Sequence, residues 1–276
     1  RFEQKFKEVL GVPHAITMNS CTSALEAALK VAKIKGDVII PSMTWVATAN
    51  AVVTSGATPV FCEVDYASRN LTAAMIEERI TPQTEAVIVV HYGGQPCPMD
   101  DVLSLCEKRG LFLIEDSAET LGATWRGRQA GSMGIGCFSF FPTKNITTGE
   151  GGMFTCHDDE FAGKVRAIIA HGVSSTTLQR EKVERPWLRA AEVAGHNYRL
   201  SNVLAAIGYH QIKKLDLLNG RRVELAHRYN DHLQDSNVLT TPSVIDGATH
   251  VYQMYTVTVP AAIRNEVVGR LRKDGI

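Results

Sequence analysis

The sequence lacks the marks of several large protein classes. Its 29 basic and 29 acidic side chains cancel, and no long run of one sign occurs. A non-specific nucleic-acid surface, which needs a basic excess, is therefore not expected. No basic amphipathic stretch is there to lie on a membrane. No apolar run approaches the length of a bilayer span, and no signal-peptide pattern stands at the start. The six cysteines (Cys21, Cys62, Cys97, Cys106, Cys137 and Cys156) include no CxxC pair. Several lie inside apolar runs, so buried reduced thiols in a cytoplasmic protein are expected, rather than a disulfide framework or a zinc site. No internal repeat or low-complexity tract is present.

What remains is an ordinary globular composition over 276 residues, enough for a full core and more than one structural unit. Arg1 opens inside a helix candidate over Phe2–Leu10. Lys273-Asp274-Gly275-Ile276 runs from a helix end into a new apolar residue. The expectation is that residues are missing on both sides.

From about residue 15 to 157, short apolar runs alternate with helical patterns. The runs Ala15–Met18, Asp37–Pro41, Thr58–Val64, Ala86–His91, Leu111–Asp116, Gly136–Phe141 and Gly152–Cys156 are mostly continuous and rich in Val, Ile and Phe. That is the pattern of strands covered on both faces. Helices are predicted at Cys21–Ile34, Trp45–Ser55, Leu71–Ile80 and Met99–Arg109, and hairpin-like connections over Gly131–Gly152. The alternation implies an α/β domain with a mostly parallel sheet. Beyond residue 157 the pattern changes. A helix is predicted at Asp159–Ala170, a polar surface loop at Ser174–Arg189, and one long helix at Ser201–Leu233 with a break near Leu215–Leu218. A strand is predicted at Val251–Val259 and a last helix at Asn265–Lys273.

Four segments carry chemistry. The strand Leu111–Asp116 ends in Glu115 and Asp116, and ligands of open α/β sheets bind beyond the carboxyl ends of strands. After the Gly136–Phe141 strand, stopped by Pro142, Lys144 follows in a loop with Asn145, Thr147, Thr148 and three glycines. A lysine desolvated there becomes a nucleophilic amine. Asn19-Ser20-Cys21-Thr22-Ser23 places hydroxyls in the first turn of a helix, whose free N–H groups suit a phosphate. The glycine pattern of a P-loop or Rossmann turn is absent. Pro41-Ser42-Met43-Thr44-Trp45 sets an indole beside a strand end, where it can stack on a flat ring. Singly, each has a commoner explanation: a helix cap, a surface lysine, a core tryptophan. Jointly they supply a phosphate seat, a stacking ring, an acid for a pyridinium nitrogen and a lysine for an aldehyde, the protein side of a pyridoxal-phosphate site.

Together with Gly195-His196-Asn197-Tyr198-Arg199-Leu200-Ser201, these segments make the chain resemble the DegT/StrS family of nucleotide-sugar aminotransferases. The run Phe138-Ser139-Phe140-Phe141-Pro142-Thr143-Lys144-Asn145, continuing to Gly152, is its most specific carrier. The resemblance implies the fold of PLP-dependent transferases of the aspartate aminotransferase type (fold type I). Residues 1–205 would be the large PLP-binding α/β domain, short of some N-terminal residues. Residues 206–276 would be a linking helix and the start of a truncated small α+β domain. It implies that Lys144 forms the Schiff base with pyridoxal 5′-phosphate and moves the proton, and that Asp116 pairs with the pyridinium nitrogen. Trp45 would stack on the ring, and Thr22, Ser23 and Ser139 would hold the phosphate. Glu119 falls where many members carry Gln or His beside the cofactor's 3-hydroxyl. Asn197 would reach the phosphate of the neighbouring subunit's cofactor, making a homodimer with shared active sites.

The implied reaction passes an amino group from L-glutamate to a nucleotide-linked 4-keto sugar in two half-reactions. Candidate sugars are 4-keto pentoses and 4-keto-6-deoxyhexoses linked to UDP, GDP or dTDP. A sugar dehydratase on the same scaffold would carry His at the lysine position, so Lys144 speaks against it. Lys144 and Asp116 together speak against a non-catalytic regulatory homologue.

Overall fold

The computed structural model describes residues 1–173 and 190–276. The surface loop expected over Ser174–Arg189 lies outside the described residues. In chain order the elements are α1 (Phe2–Leu10), β1 (His14–Met18), α2 (Cys21–Val31), β2 (Asp37–Pro41), α3 (Val46–Ser55), β3 (Thr58–Cys62), α4 (Ala73–Glu77), β4 (Thr84–Val90), α5 (Met99–Arg109), β5 (Phe112–Asp116), β6 (Thr124–Trp125), β7 (Arg128–Gln129), β8 (Ile135–Ser139), β9 (Gly152–Cys156) and α6 (Asp159–Ile168). Then follow α7 (Asn202–Gln211), α8 (Leu215–Leu233) and α9 (Arg264–Lys273).

Seven strands form one sheet in the order β1-β9-β8-β5-β4-β2-β3. The pairs from β3 through β2, β4 and β5 to β8 are parallel. β9 runs antiparallel to both of its neighbours. The period of two explains why the strands are apolar throughout. Ala86 and Ile88 of β4 enter a core with α2, α3 and α6, whereas Val87 and Val89 enter a second core with α5 on the opposite face. On β5 the same alternation sends Ile114 to the first core and Leu113 to the second. Glu115 and Asp116, next along the strand, therefore face opposite sides of the sheet.

A third core lies at the sheet end carrying the lysine segment. Phe2 and Phe6 of α1 pack on Phe138 and Phe140, with Phe6 to Phe138 ring centroids at 5.0 Å and Phe2 to Phe140 at 5.2 Å. Ile146, Met153, Ile212 and Leu215 complete it. This core also explains a difference from the sequence reading. The helix over 201–233 breaks earlier than expected, at a 3-10 turn over Ile212–Lys214, before α8 begins. In a 3-10 turn residues i and i+3 eclipse, and here that brings Ile212 and Leu215 to the same core.

The expected strand over Val251–Val259 does not form. Only Thr258 pairs, in an isolated antiparallel bridge with Thr240. Alternation marks a half-buried surface, but a strand also needs a neighbour for its N–H and C=O groups. Around 243–254 those groups are taken by loops of the sheet instead. Val251 N donates to Gly94 O at 2.9 Å and Met254 N to Gly93 O at 3.0 Å. The predicted helix over Leu71–Ile80 is shorter, with Thr72 as its N-cap and Glu78 as its C-cap. The strand predicted to Phe141 ends at Ser139. All six cysteines are buried free thiols.

Gly152 sets how closely β9 meets the start of α2. A Cβ there would come within 2.4 Å of Ser20 C and 2.6 Å of Cys21 N. Gly152→Ala should push the helix start off the strand and lower the unfolding free energy by about 1–3 kcal/mol, the usual range for overpacking. Denaturant unfolding measures this, and an unchanged midpoint would show that the contact is slack.

Candidate active site

The carboxyl ends of β5 and β8 converge beside the start of α2. Asp116 closes β5 and is buried, with 5% of its surface exposed. Its Oδ2 accepts the Thr48 hydroxyl at 2.9 Å. Its Oδ1 accepts the Ala118 N–H at 3.2 Å and the Cys21 thiol at 3.7 Å, the last a weak contact. Burial pushes the Asp116 carboxyl above the usual aspartate range, although the Thr48 and Ala118 hydrogen bonds and the nearby Lys144 charge pull the other way. A cationic N–H brought to these oxygens would relieve that cost.

Lys144 lies in the loop between β8 and β9, between the buried Phe140 and Ile146. The loop is closed by backbone hydrogen bonds, Phe140 N to Gly151 O at 2.9 Å and Thr148 N to Phe140 O at 3.0 Å. From outside, Arg222 of α8 donates to Lys144 O at 3.2 Å, and Asn145 Nδ2 donates to Asn219 Oδ1 at 2.9 Å. Lys144 Nζ meets Glu119 Oε1 at 3.1 Å, both side chains being less than one-fifth exposed. The other Glu119 oxygen accepts the Gly93 N–H at 2.8 Å. Glu119, just after β5, is thereby aimed at the lysine by the loop that follows β4.

The start of α2 is capped by Ser20, whose Oγ accepts the Ser23 N–H at 3.1 Å. The Ser23 hydroxyl donates to Asn19 Oδ1 at 2.6 Å. Thr22 is half-buried on the same turn. The first N–H groups of such a helix lack intrahelical acceptors and face the carboxyl end of the sheet, an anion seat. Ser139 ends β8, with its Oγ accepting the Phe141 N–H at 3.4 Å. Trp45, just before α3, is 78% exposed, so its ring has a face free for a ligand.

The structure thus brings Lys144, Glu119 and Asp116 together, with the Thr22–Ser23 turn joined to Asp116 through Cys21. Asn197 is exposed and bridges Ala170 in an antiparallel pair. Among the described residues no contact joins it to Lys144 or Asp116. The sequence reading gave no role to Thr48, Cys21, Gly93 or Arg222. Cys21 sits inside a quoted motif and Thr48 lies three residues beyond another, so their neighbourhood was marked. Gly93 and Arg222 reach the site only through tertiary contacts. The donor set fits pyridoxal 5′-phosphate: a helix N-terminus for phosphate, a buried acid seeking a cationic N–H, an exposed indole and a primary amine.

The chain matches the DegT/DnrJ/EryC1/StrS aminotransferase family over residues 1–276. It is 41% identical over 282 residues to GDP-perosamine synthase of Caulobacter vibrioides, spanning 100% of this chain and 73% of that protein. It is 39% identical over 281 residues to the spore coat polysaccharide biosynthesis protein SpsC of Bacillus subtilis, spanning 99% of this chain and 72% of SpsC. The solved structure of the aminotransferase TlmJ from Streptoalloteichus hindustanus superposes with a TM-score of 0.93 at 34% identity, covering 99% of this chain and 74% of that one.

The raised proton affinity of Asp116 has a stability consequence in the cofactor-free protein. The folded state holds the Asp116 proton to higher pH than the unfolded chain does. The contribution of this group is therefore full below the ordinary aspartate value of 3.8 and is lost as pH rises through the raised folded value. Asp116→Asn should remove that loss, leaving the cofactor-free variant more stable than wild type at neutral pH. Denaturant unfolding of both proteins from acid to neutral pH measures it, and identical pH slopes would refute the assignment.

Proposed function

The chain belongs to the DegT/DnrJ/EryC1/StrS aminotransferase family, and on that premise we propose that it moves an amino group from L-glutamate to the keto group of a nucleotide-linked 4-keto sugar. Its cofactor in this reading is pyridoxal 5′-phosphate. The observation that carries the proposal is the approach of Lys144 to the buried Asp116, with Glu119 on the lysine amine at 3.1 Å.

When bound, the cofactor supplies an electron-withdrawing ring that stabilises negative charge at the carbon losing or gaining the amine. The remaining work falls to this chain. Asp116 holds the proton on the ring nitrogen, and its cage of Thr48 and Ala118 fixes the direction of its oxygens. Lys144 would hold the cofactor's aldehyde end through its primary amine, and the same Nζ, once freed by the incoming amine, would accept and return the proton that the transfer requires. Its loop is pinned by Phe140, Ile146, Asn219 and Arg222, so the amine swings on a fixed base. Thr22, Ser23 and Ser139 seat the phosphate at the α2 start. Trp45 covers the ring face. Glu119, set by the Gly93 N–H, orients the lysine and the ring's hydroxyl side. Asn197 of a second copy of this chain completes the phosphate seat, so the active form is a homodimer. The likeness to GDP-perosamine synthase and to a polysaccharide biosynthesis protein supports a sugar as the acceptor.

The purified protein should be yellow and should bleach on adding L-glutamate. Lys144→Ala should lose both the absorbance and turnover with a panel of UDP-, GDP- and dTDP-linked 4-keto sugars. A Lys144→Ala protein that still turns over would refute the proposal. Failure of every nucleotide sugar, with a bleaching holoenzyme, would refute the acceptor alone.

A further inference from the structure

Glu115 is the acid that the mechanism leaves unused. It precedes Asp116 on β5, so it points to the opposite face of the sheet, and its side chain is fully buried. A carboxylate there must be fully hydrogen-bonded to be tolerated. It is met by four donors. Glu115 Oε2 accepts the Gly131 N–H at 2.8 Å and His91 Nε2 at 2.9 Å. Oε1 accepts the Met133 N–H at 2.7 Å and the Gly134 N–H at 2.6 Å. Burial alone would raise the Glu115 carboxyl, but the contacts with His91 and the glycine N–H groups outweigh it and hold the group below the usual glutamate range.

His91 is equally buried. Its Nδ1 accepts the Cys97 N–H at 3.1 Å, so that nitrogen carries no proton and the ring presents its N–H from Nε2 to Glu115. The ring is thus locked between the loop after β4 and the end of β5. The backbone repeats the link, with His91 N donating to Asp116 O at 3.1 Å.

Three segments of the active site leave from this cluster. The Gly131–Gly134 turn feeds directly into β8, which ends at Ser139 and leads to Lys144. That turn has little freedom: Gly131 has φ +78°, and a Cβ there would lie 2.2 Å from Phe138 Cζ. His91 leads to Gly93, whose N–H orients Glu119. Glu115 itself adjoins Asp116.

We propose that Glu115 and His91 form a positioning pair, a carboxylate and an imidazole on the far face of the sheet that together set where Asp116, Glu119 and Lys144 meet the cofactor. The pair touches no reacting atom. It fixes the ends of β4 and β5 relative to the start of β8, and small misplacements there are costly because the groups act only in their mutual geometry. The inference rests on the reading of Asp116 and Lys144 given above.

Three variants test it: Glu115→Gln, His91→Asn and His91→Gln. A glutamine at 115 turns one acceptor oxygen into an NH2 facing backbone N–H donors. At position 91, Gln can place an N–H where Nε2 was, whereas Asn reaches only the Nδ1 position. The readouts are the dissociation constant for pyridoxal phosphate, from an absorbance titration, and the pH midpoint of the bound cofactor's visible band. Glu115→Gln and His91→Asn should weaken cofactor binding about tenfold or more. They should also move the midpoint upward, because a displaced Asp116 leaves the ring less electron-withdrawing. His91→Gln should stay near wild type in both. A folded Glu115→Gln protein with wild-type affinity and midpoint overturns the proposal. Should Glu115→Gln fail to fold, the two His91 variants decide, and equal behaviour of Asn and Gln overturns it. A purely structural pair would lower stability in all three variants without moving the midpoint, and that result also overturns it. Wild-type protein that takes up no cofactor overturns the functional reading and this inference together.

Discussion

A carboxylate buried at the end of a parallel strand, with no ion pair to it among the described residues, is the constraint on which this site turns. Asp116 has a hydroxyl, an amide N–H and a thiol around its oxygens, which lessen its desolvation cost and leave it above its ordinary range. The arrangement makes sense around a ligand that brings a positively charged N–H. The rest of the site is built outward from that point. α2 starts beside it and offers its N-terminus, and Cys21 in the first turn touches Asp116. β8, paired with β5, delivers Ser139 and the lysine loop to the same edge.

The lysine is placed by the packing of its neighbours as well as by its own contacts. Phe140 and Ile146 on either side of it are buried in the core formed with α1, and α8 holds the loop carbonyls through Arg222. α1 and α8 are distant in sequence from Lys144 but adjacent to it in the fold. Glu119 approaches from a third direction and depends on Gly93. Two supports therefore hold the backbone on either side of Lys144, and a third, Glu119, meets its amine at 3.1 Å.

Much of this was legible in the sequence, for reasons that also explain what was not. Continuous apolar runs report strands buried on both faces, so β2 and β9 were placed at their observed bounds and the parallel sheet followed. The ends of β5 and β8 were marked by Glu115-Asp116 and by Pro142, close to where they fall. Residues 251–259 were misread because alternation reveals a half-buried face but not whether a partner strand lies beside it. The break in the 201–233 helix was set three residues late, since the need to bury Ile212 and Leu215 together is a tertiary demand. Glu115 was seen only as the neighbour of Asp116. Its four donors come from positions 91 and 131–134, and no local pattern announces that they converge.

Borohydride reduction of the holoenzyme, followed by proteolysis and peptide mass mapping, tests the central claim most directly. The account predicts a pyridoxyl group on the peptide that contains Lys144 and on no other. A label on a different lysine, or none in a protein that holds the cofactor, would contradict it.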